Sequence, residues 1–183
     1  GFEDAEPEQE EKKTESKEAE KTQQNNTKPL VEKIELCAPV SGTVKALSDV
    51  PDKTFAEKVL GDGAAIIPEE GKVYAPADGT VANIMDSKHG IMFVTDSGAE
   101  VLIHIGLDTV NLKGKYFKSY VSDGDKVKKG TLLVEFDLEA IKGEGYNLIT
   151  PMVVTNISDY IKAVCMEKED AAVNAGDKFL TIV

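Results

Sequence analysis

Residues 98–110 read GAEVLIHIGLDTV. Asp96, Ser97 and Gly98 form a turn-like lead-in. Val101, Leu102 and Ile103 follow as consecutive aliphatics, then His104, Ile105, Gly106, Leu107, Asp108, Thr109 and Val110. Aliphatic and β-branched residues without helical spacing, bounded by glycines, predict a strand. Side chains alternate between the faces of a strand. Val101, Ile103 and Ile105 therefore share a buried face, and Leu102 and His104 share the outer one. Gly106 lies just beyond them. The pattern puts an imidazole on an outer face, next to an apolar neighbour and a bare length of backbone. A reactive group that must meet another protein suits such a place.

The apolar run at residues 91–95 precedes this stretch, with the Asp96–Gly98 turn between. Consecutive strands joined by a short turn are usually paired neighbours. A hairpin centred near Ser97 opposes Ile91 with Ile103 and brings His89 close to position 105. His89 then lies within one strand spacing of His104. The chain has only these two histidines. A lone histidine in a strand is ordinarily a satisfied structural residue. Convergence of both imidazoles is a stronger sign of function.

Farther out, short apolar runs recur at residues 34–36, 42–47, 63–67, 72–75, 79–84, 131–136, 152–155 and 178–183. Gly, Pro and Asp separate most of them. Many short strands with frequent punctuation predict an all-β fold, an antiparallel sandwich or flattened barrel. Helical turns are expected only at residues 55–59, 138–142 and 158–160. An internal echo supports the same reading. Ala38-Pro39-Val40-Ser41-Gly42-Thr43-Val44 recurs as Ala75-Pro76-Ala77-Asp78-Gly79-Thr80-Val81. In each, Pro sets a turn and Gly lets the backbone swing into the next strand. Asp123 to Gly130, ahead of Thr131-Leu132-Leu133-Val134, has a shorter echo in Ala175-Gly176-Asp177-Lys178. These pieces resemble the half-motifs of biotinyl- and lipoyl-type domains, duplicated into a hybrid motif. They speak to fold, not chemistry.

The 183 residues suffice for one domain with a real core plus a tail. Residues 1–29 carry nine acidic and five basic side chains and a polar run over residues 22–27. Phe2 is the only large apolar side chain there. Such a segment cannot offset its ordering entropy by burial, so it is expected to be disordered. We divide the chain into an acidic tail or interdomain linker, 1–33, and a folded domain, 34–183. The net charge of -12 argues against nucleic-acid binding and favours a positively charged partner surface. No apolar run approaches the ~18 residues of a membrane span. Cys37 and Cys165 lie far apart with no CxxC spacing, and two reduced thiols are expected.

Two imidazoles without a carboxylate pair or a nucleophilic serine leave two chemistries. Zinc sites usually take three or four protein ligands. Here only Asp108, spaced His-x-x-x-Asp from His104, could join the pair. The spacing weakly resembles zinc endopeptidases of related fold, but their His-x-His pair and earlier His-x-x-x-Asp are missing. The other chemistry is phosphoryl transfer through a phosphohistidine. It needs a neutral imidazole nitrogen, available near pH 7 from a pKa of about 6.5, and donors for the phosphoryl oxygens. His89 N–H and the Ser87 hydroxyl could serve. Gly61-Asp62-Gly63 lacks the P-loop spacing, so the phosphoryl group is expected from a phosphoprotein. Phe55, Val50, Met85 and Leu102 are the candidate docking residues around the histidine. Phe55 is the better surface candidate, because it follows the exposed-looking Pro51 to Thr54.

The thirteen residues 98–110 resemble the phosphorylation-site motif of the glucose-type EIIA proteins of the bacterial phosphotransferase system. The resemblance extends to Asp49-Val50-Pro51-Asp52, Phe55-Ala56-Glu57-Lys58, Gly61-Asp62-Gly63, Ala75-Pro76, Asp108 through Gly114, Glu135-Phe136-Asp137-Leu138 and Thr150-Pro151. It spans residues 34–183. By resemblance the fold is an antiparallel β-sandwich. His104 is the residue phosphorylated by phospho-HPr, and it passes the group to a cysteine on the EIIB domain of a sugar permease. His89 is the second histidine, bonding the phosphoryl group, and Asp108 is the nearby acid. Ser87 stands where Thr is common, which keeps the hydroxyl but loosens its rotamer. No cofactor is implied, although some members share a zinc ion with a partner through the two histidines. The protein is expected in the cytoplasm. Because the chain opens on Gly and its first residues look like an interdomain linker, it is expected to be the last domain of a larger permease. The alternative is a regulatory domain of a transporter that uses His104 phosphorylation as a switch.

Overall fold

The structure, a computed structural model, describes residues 33–183. Apart from Lys33, the tail expected over residues 1–33 lies outside the described residues. Fourteen strands fall in three antiparallel sheets among the described residues. They are β1 (Ile34–Cys37), β2 (Gly42–Ala46), β3 (Asp62–Pro68), β4 (Lys72–Tyr74), β5 (Gly79–Ile84), β6 (Gly90–Thr95) and β7 (Glu100–His104). β8 (Phe117–Ser119), β9 (Lys126–Val127), β10 (Leu132–Phe136), β11 (Thr150–Val154), β12 (Ala163–Cys165), β13 (Ala172–Val173) and β14 (Lys178–Ile182) complete the set. The largest sheet runs β13-β2-β3-β11-β7-β6-β5-β9, and the smaller ones run β1-β14-β12 and β4-β10-β8. The two short α-helices are α1 (Lys53–Ala56) and α2 (Leu138–Gly143).

The sequence echo is built into the backbone. Cys37 N–H donates to the Pro76 carbonyl, and Tyr74 N–H donates to the Pro39 carbonyl, both at 2.8 Å. The two Ala-Pro turns thus clasp each other reciprocally. Ala38 exchanges bonds with Gly176 and Asp177, as Ala75 does with Gly130 and Thr131. Gly42 and Gly79 occupy matching places, and a Cβ there would come within 1.9 Å of Ile67 O and 2.3 Å of Val94 O. Only a bare α-carbon fits at such an approach.

The main core draws on all three sheets, with Phe93, Ile103, Leu133, Met152 and Phe179 fully enclosed. The expected outer face of β7 is not open. Alternate residues of three adjacent strands, Ala65 of β3, Val153 of β11 and Leu102 of β7, point away from the main core into a second apolar cluster. Leu47, Val50, Phe55, Leu107 and Ile149 cover it. Residues 47–56 therefore form a lid over this part of the sheet. Burying a side chain such as Phe55 contributes about 1.5–3 kcal/mol, which holds the lid on β7.

Most boundaries shift by a residue or two from the sequence reading, and two of these differences shape the site. The strand expected to continue past His104 ends there, because Gly106 (φ 77°) and Asp108 (φ 60°) are left-handed and a 3-10 turn follows over Thr109–Leu112. The helical turn expected from residue 55 begins at Lys53, because Asp52 caps it by accepting from Thr54 N–H at 2.9 Å. Four short strands, β8, β9, β12 and β13, have too few apolar residues to stand out. Their neighbours supply the pairing.

Candidate functional site

His104 is the last residue of β7 and sits opposite Gly90 of β6. The β6–β7 hairpin pairs Ile91 with Ile103, as its turn requires, and Ile105 N–H donates to the His89 carbonyl at 2.6 Å. The register thus brings both histidines to one end of the hairpin. Their rings meet edge to face with centroids 4.8 Å apart. Phe55 lies on another side of His104, its ring centroid 5.2 Å away at a tilt of 57°. His104 is only partly exposed and His89 is buried.

Each imidazole is oriented through Nδ1. His104 Nδ1 lies 2.7 Å from the Gly106 carbonyl oxygen. A carbonyl can only accept, so the proton is on Nδ1 and Nε2 carries the free lone pair. His89 Nδ1 lies 2.6 Å from Ser87 Oγ. With the hydroxyl donating, the His89 proton sits on Nε2. Residues 85–90 make this possible by folding tightly: Met85 N–H donates to Gly90 O and Lys88 N–H to Met85 O, with Lys88 left-handed at φ 60°.

Burial, followed by repulsion from His104, pushes the His89 pKa down to about 4. Burial also lowers that of His104. Its bond to the Gly106 carbonyl and the charges of Asp52 and Asp108 pull in the other direction without cancelling the effect. Both rings are therefore neutral near pH 7. The site is a pair of uncharged imidazoles beside two carboxylates, with the His104 tautomer fixed by the Gly106 carbonyl. Such a pair can present a nucleophilic nitrogen next to an N–H donor. Among the described residues no three His, Cys, Asp or Glu side chains cluster as a metal site would require.

The structure brings His104, His89, Ser87 and Gly106 into one bonded group, and Asp108 lies near enough to act on His104 by its charge. Asp52 joins it in that role, although sequence reasoning gave it none. The signal was its place in the shared Asp-Val-Pro-Asp run. The docking candidates fare differently. Val50, Phe55 and Leu102 are 2%, 3% and 6% exposed and form the second apolar cluster, so the expectation of a surface Phe55 is corrected. Phe55 follows an exposed segment, but α1 turns its ring inward onto β7. Met85 is exposed, its sulfur crossing over Gly90. Exposed apolar side chains not singled out from the sequence include Val59 and Leu60, just after α1, and Val110, beside Thr109. Neither thiol is paired: Cys37 and Cys165 are both free.

Comparison with known proteins gives one consistent answer. The family described as phosphoenolpyruvate-dependent sugar phosphotransferase system, EIIA 1, matches residues 34–160. The glucose-specific EIIA component of Halalkalibacterium halodurans is 45% identical over 146 residues, which cover 80% of this chain and 83% of that protein. The beta-glucoside-specific EIIBCA component of Bacillus subtilis is 53% identical over 123 residues, or 67% of this chain but 20% of that protein. The chain thus spans about a fifth of such fused relatives. Among solved structures, the glucose permease IIA from Mycoplasma capricolum superposes with a TM-score of 0.74 at 31% identity. That match covers 85% of this chain and 99% of that one.

Proposed function

Because this chain belongs to the EIIA 1 family of the phosphoenolpyruvate-dependent sugar phosphotransferase system, we propose that it carries a phosphoryl group on His104 Nε2 between two partner proteins. The observation that carries this reading is the bond from His104 Nδ1–H to the Gly106 carbonyl, which leaves Nε2 unprotonated. The Nε2 lone pair attacks the phosphorus of phospho-HPr. The donor P–N bond breaks and its electron pair returns to the donor imidazole. In the second step a cysteine thiolate of an EIIB domain attacks the same phosphorus, and the pair of the Nε2–P bond returns to His104. With the Ser87 hydroxyl donating to Nδ1, His89 carries its proton on Nε2 and donates it to a phosphoryl oxygen.

The EIIB partner is inferred from fusion of the family's EIIA domain to EIIBC components in relatives. The same fusion supports a domain tethered to a membrane permease at its cytoplasmic face. Among the described residues no helix is long and apolar enough to cross a membrane. Val59, Leu60, Val110 and Met85 are exposed apolar side chains close in sequence to Phe55, Asp108 and His89, and we assign the apolar part of the docking surface to them. Asp52 and Asp108 favour a partner with a cationic side chain at the centre. With the Ser87 hydroxyl turned to accept from His89 Nδ1–H instead, both Nε2 atoms would carry lone pairs and offer half of a tetrahedral zinc site, with a partner completing the ligands. A regulatory role, with His104 phosphorylation as the switch, would use the same chemistry at a different partner.

The test is intact mass after incubation with Enzyme I, HPr and phosphoenolpyruvate. One acid-labile phosphoryl group is expected on the native chain and none on His104→Gln. A labelled His104→Gln would overturn the assignment.

A further inference from the structure

The bond to Gly106 sets which nitrogen of His104 is free, so whatever fixes that carbonyl also fixes the nucleophile. The carbonyl accepts from no second donor among the described residues. The backbone on either side is tied down. Ile105 N–H donates to His89 O at 2.6 Å, and Leu107 N–H donates to Asn147 O at 2.9 Å. The Ile105 carbonyl is held differently, accepting at 2.5 Å from Oγ1 of Thr109. No other donor duplicates that bond among the described residues. Thr109 is fully buried, so it has no part in meeting a partner. Its Cγ2 packs against Gly106, and a Cβ placed on that glycine would come within 2.7 Å of it.

We propose that Thr109 is a positioning residue: its hydroxyl closes the loop from Ile105, so that the Gly106 carbonyl stays on His104 Nδ1–H and Nε2 stays free. The idea deepens the reading of His104 as the phosphoryl acceptor and rests on it for its kinetic part. Physical necessity favours a hydroxyl here. A valine has the same shape, but it would leave the buried Ile105 carbonyl without its donor. The turn would then be free to relax, and the Nδ1–H tautomer would lose its advantage over the Nε2–H form.

The test compares the full chain with Thr109→Val, which keeps the methyl, and Thr109→Ser, which keeps the hydroxyl. Ring nitrogen-15 spectra of His104 at pH 8 report the tautomer, and timed labelling by excess phospho-HPr reports acceptance. The native chain should show Nδ1–H alone. Thr109→Val should show a visible Nε2–H fraction and acceptance slower by about tenfold, and Thr109→Ser should rescue both. An unchanged tautomer in Thr109→Val would overturn the proposal even if labelling slowed, since loop packing would then explain the loss. Failure of Thr109→Ser to rescue the tautomer would overturn it too. If Thr109→Val does not fold, Thr109→Ala takes its place under the same criteria. If the native chain accepts no phosphoryl group, the reading of His104 fails, while the tautomer comparison still decides the role of Thr109.

Discussion

His104 donates from Nδ1 to the carbonyl oxygen of Gly106, two residues further on, at 2.7 Å. The bond exists because β7 stops at His104 and the left-handed Gly106, at φ 77°, turns the chain there. A continuing strand would send that carbonyl toward a neighbouring strand. The turn thus converts a structural histidine into one with a defined free nitrogen.

His89 stands edge-on to that ring and is held through Ser87. His89→Gln keeps an N–H donor but cannot change its protonation. The variant is expected to accept a phosphoryl group yet pass it to EIIB at least about tenfold more slowly. Single-turnover transfer from the phosphorylated variant measures this. An unchanged rate would remove His89 from the mechanism.

The pH dependence of stability has a definite sign. Folding lowers the His89 pKa from 6.5 to about 4. Between those values an unfolded His89 takes up a proton that the folded one refuses, so the unfolded state binds more protons and stability falls as pH drops. Urea midpoints at pH 7.5, 5.5 and 4.5 should decline more steeply for the native chain than for His89→Gln. Equal slopes would contradict the buried neutral ring.

Phe55 serves both the small core and the site. Phe55→Ala removes the largest side chain of the lid cluster, and a cost of about 3 kcal/mol or more is expected in chemical unfolding. The His104 ring also loses a neighbour, so acceptance should slow under conditions where the variant is still folded. A cost below ~1 kcal/mol would mean that the lid contributes little.

Val59 is 68% exposed. Val59→Asp should change stability by no more than about 0.5 kcal/mol. It should raise the phospho-HPr concentration needed for half-maximal labelling and leave the saturating rate in place. A lower saturating rate with unchanged half-saturation would place Val59 outside the docking surface.

Much of this was legible in the chain. Alternation along 101–105 and the short turn at Ser97 determined the hairpin register, and the register alone brings His89 to His104, because strand pairing has a fixed spacing. The repeated Ala-Pro-x-x-Gly segments announced the duplication, because only Gly fits where the backbones of Gly42 and Gly79 approach Ile67 and Val94. The tertiary structure alone decided what covers the outer face of β7. Period-two alternation says which residues share a face, not whether another segment packs on it. The inward turn of Phe55 depends on contacts with Leu102 and Val153, far away in sequence. The tautomers of the two histidines were likewise invisible. They depend on where the Gly106 carbonyl and the Ser87 hydroxyl come to rest, and a left-handed turn sets the first while a six-residue fold-back sets the second.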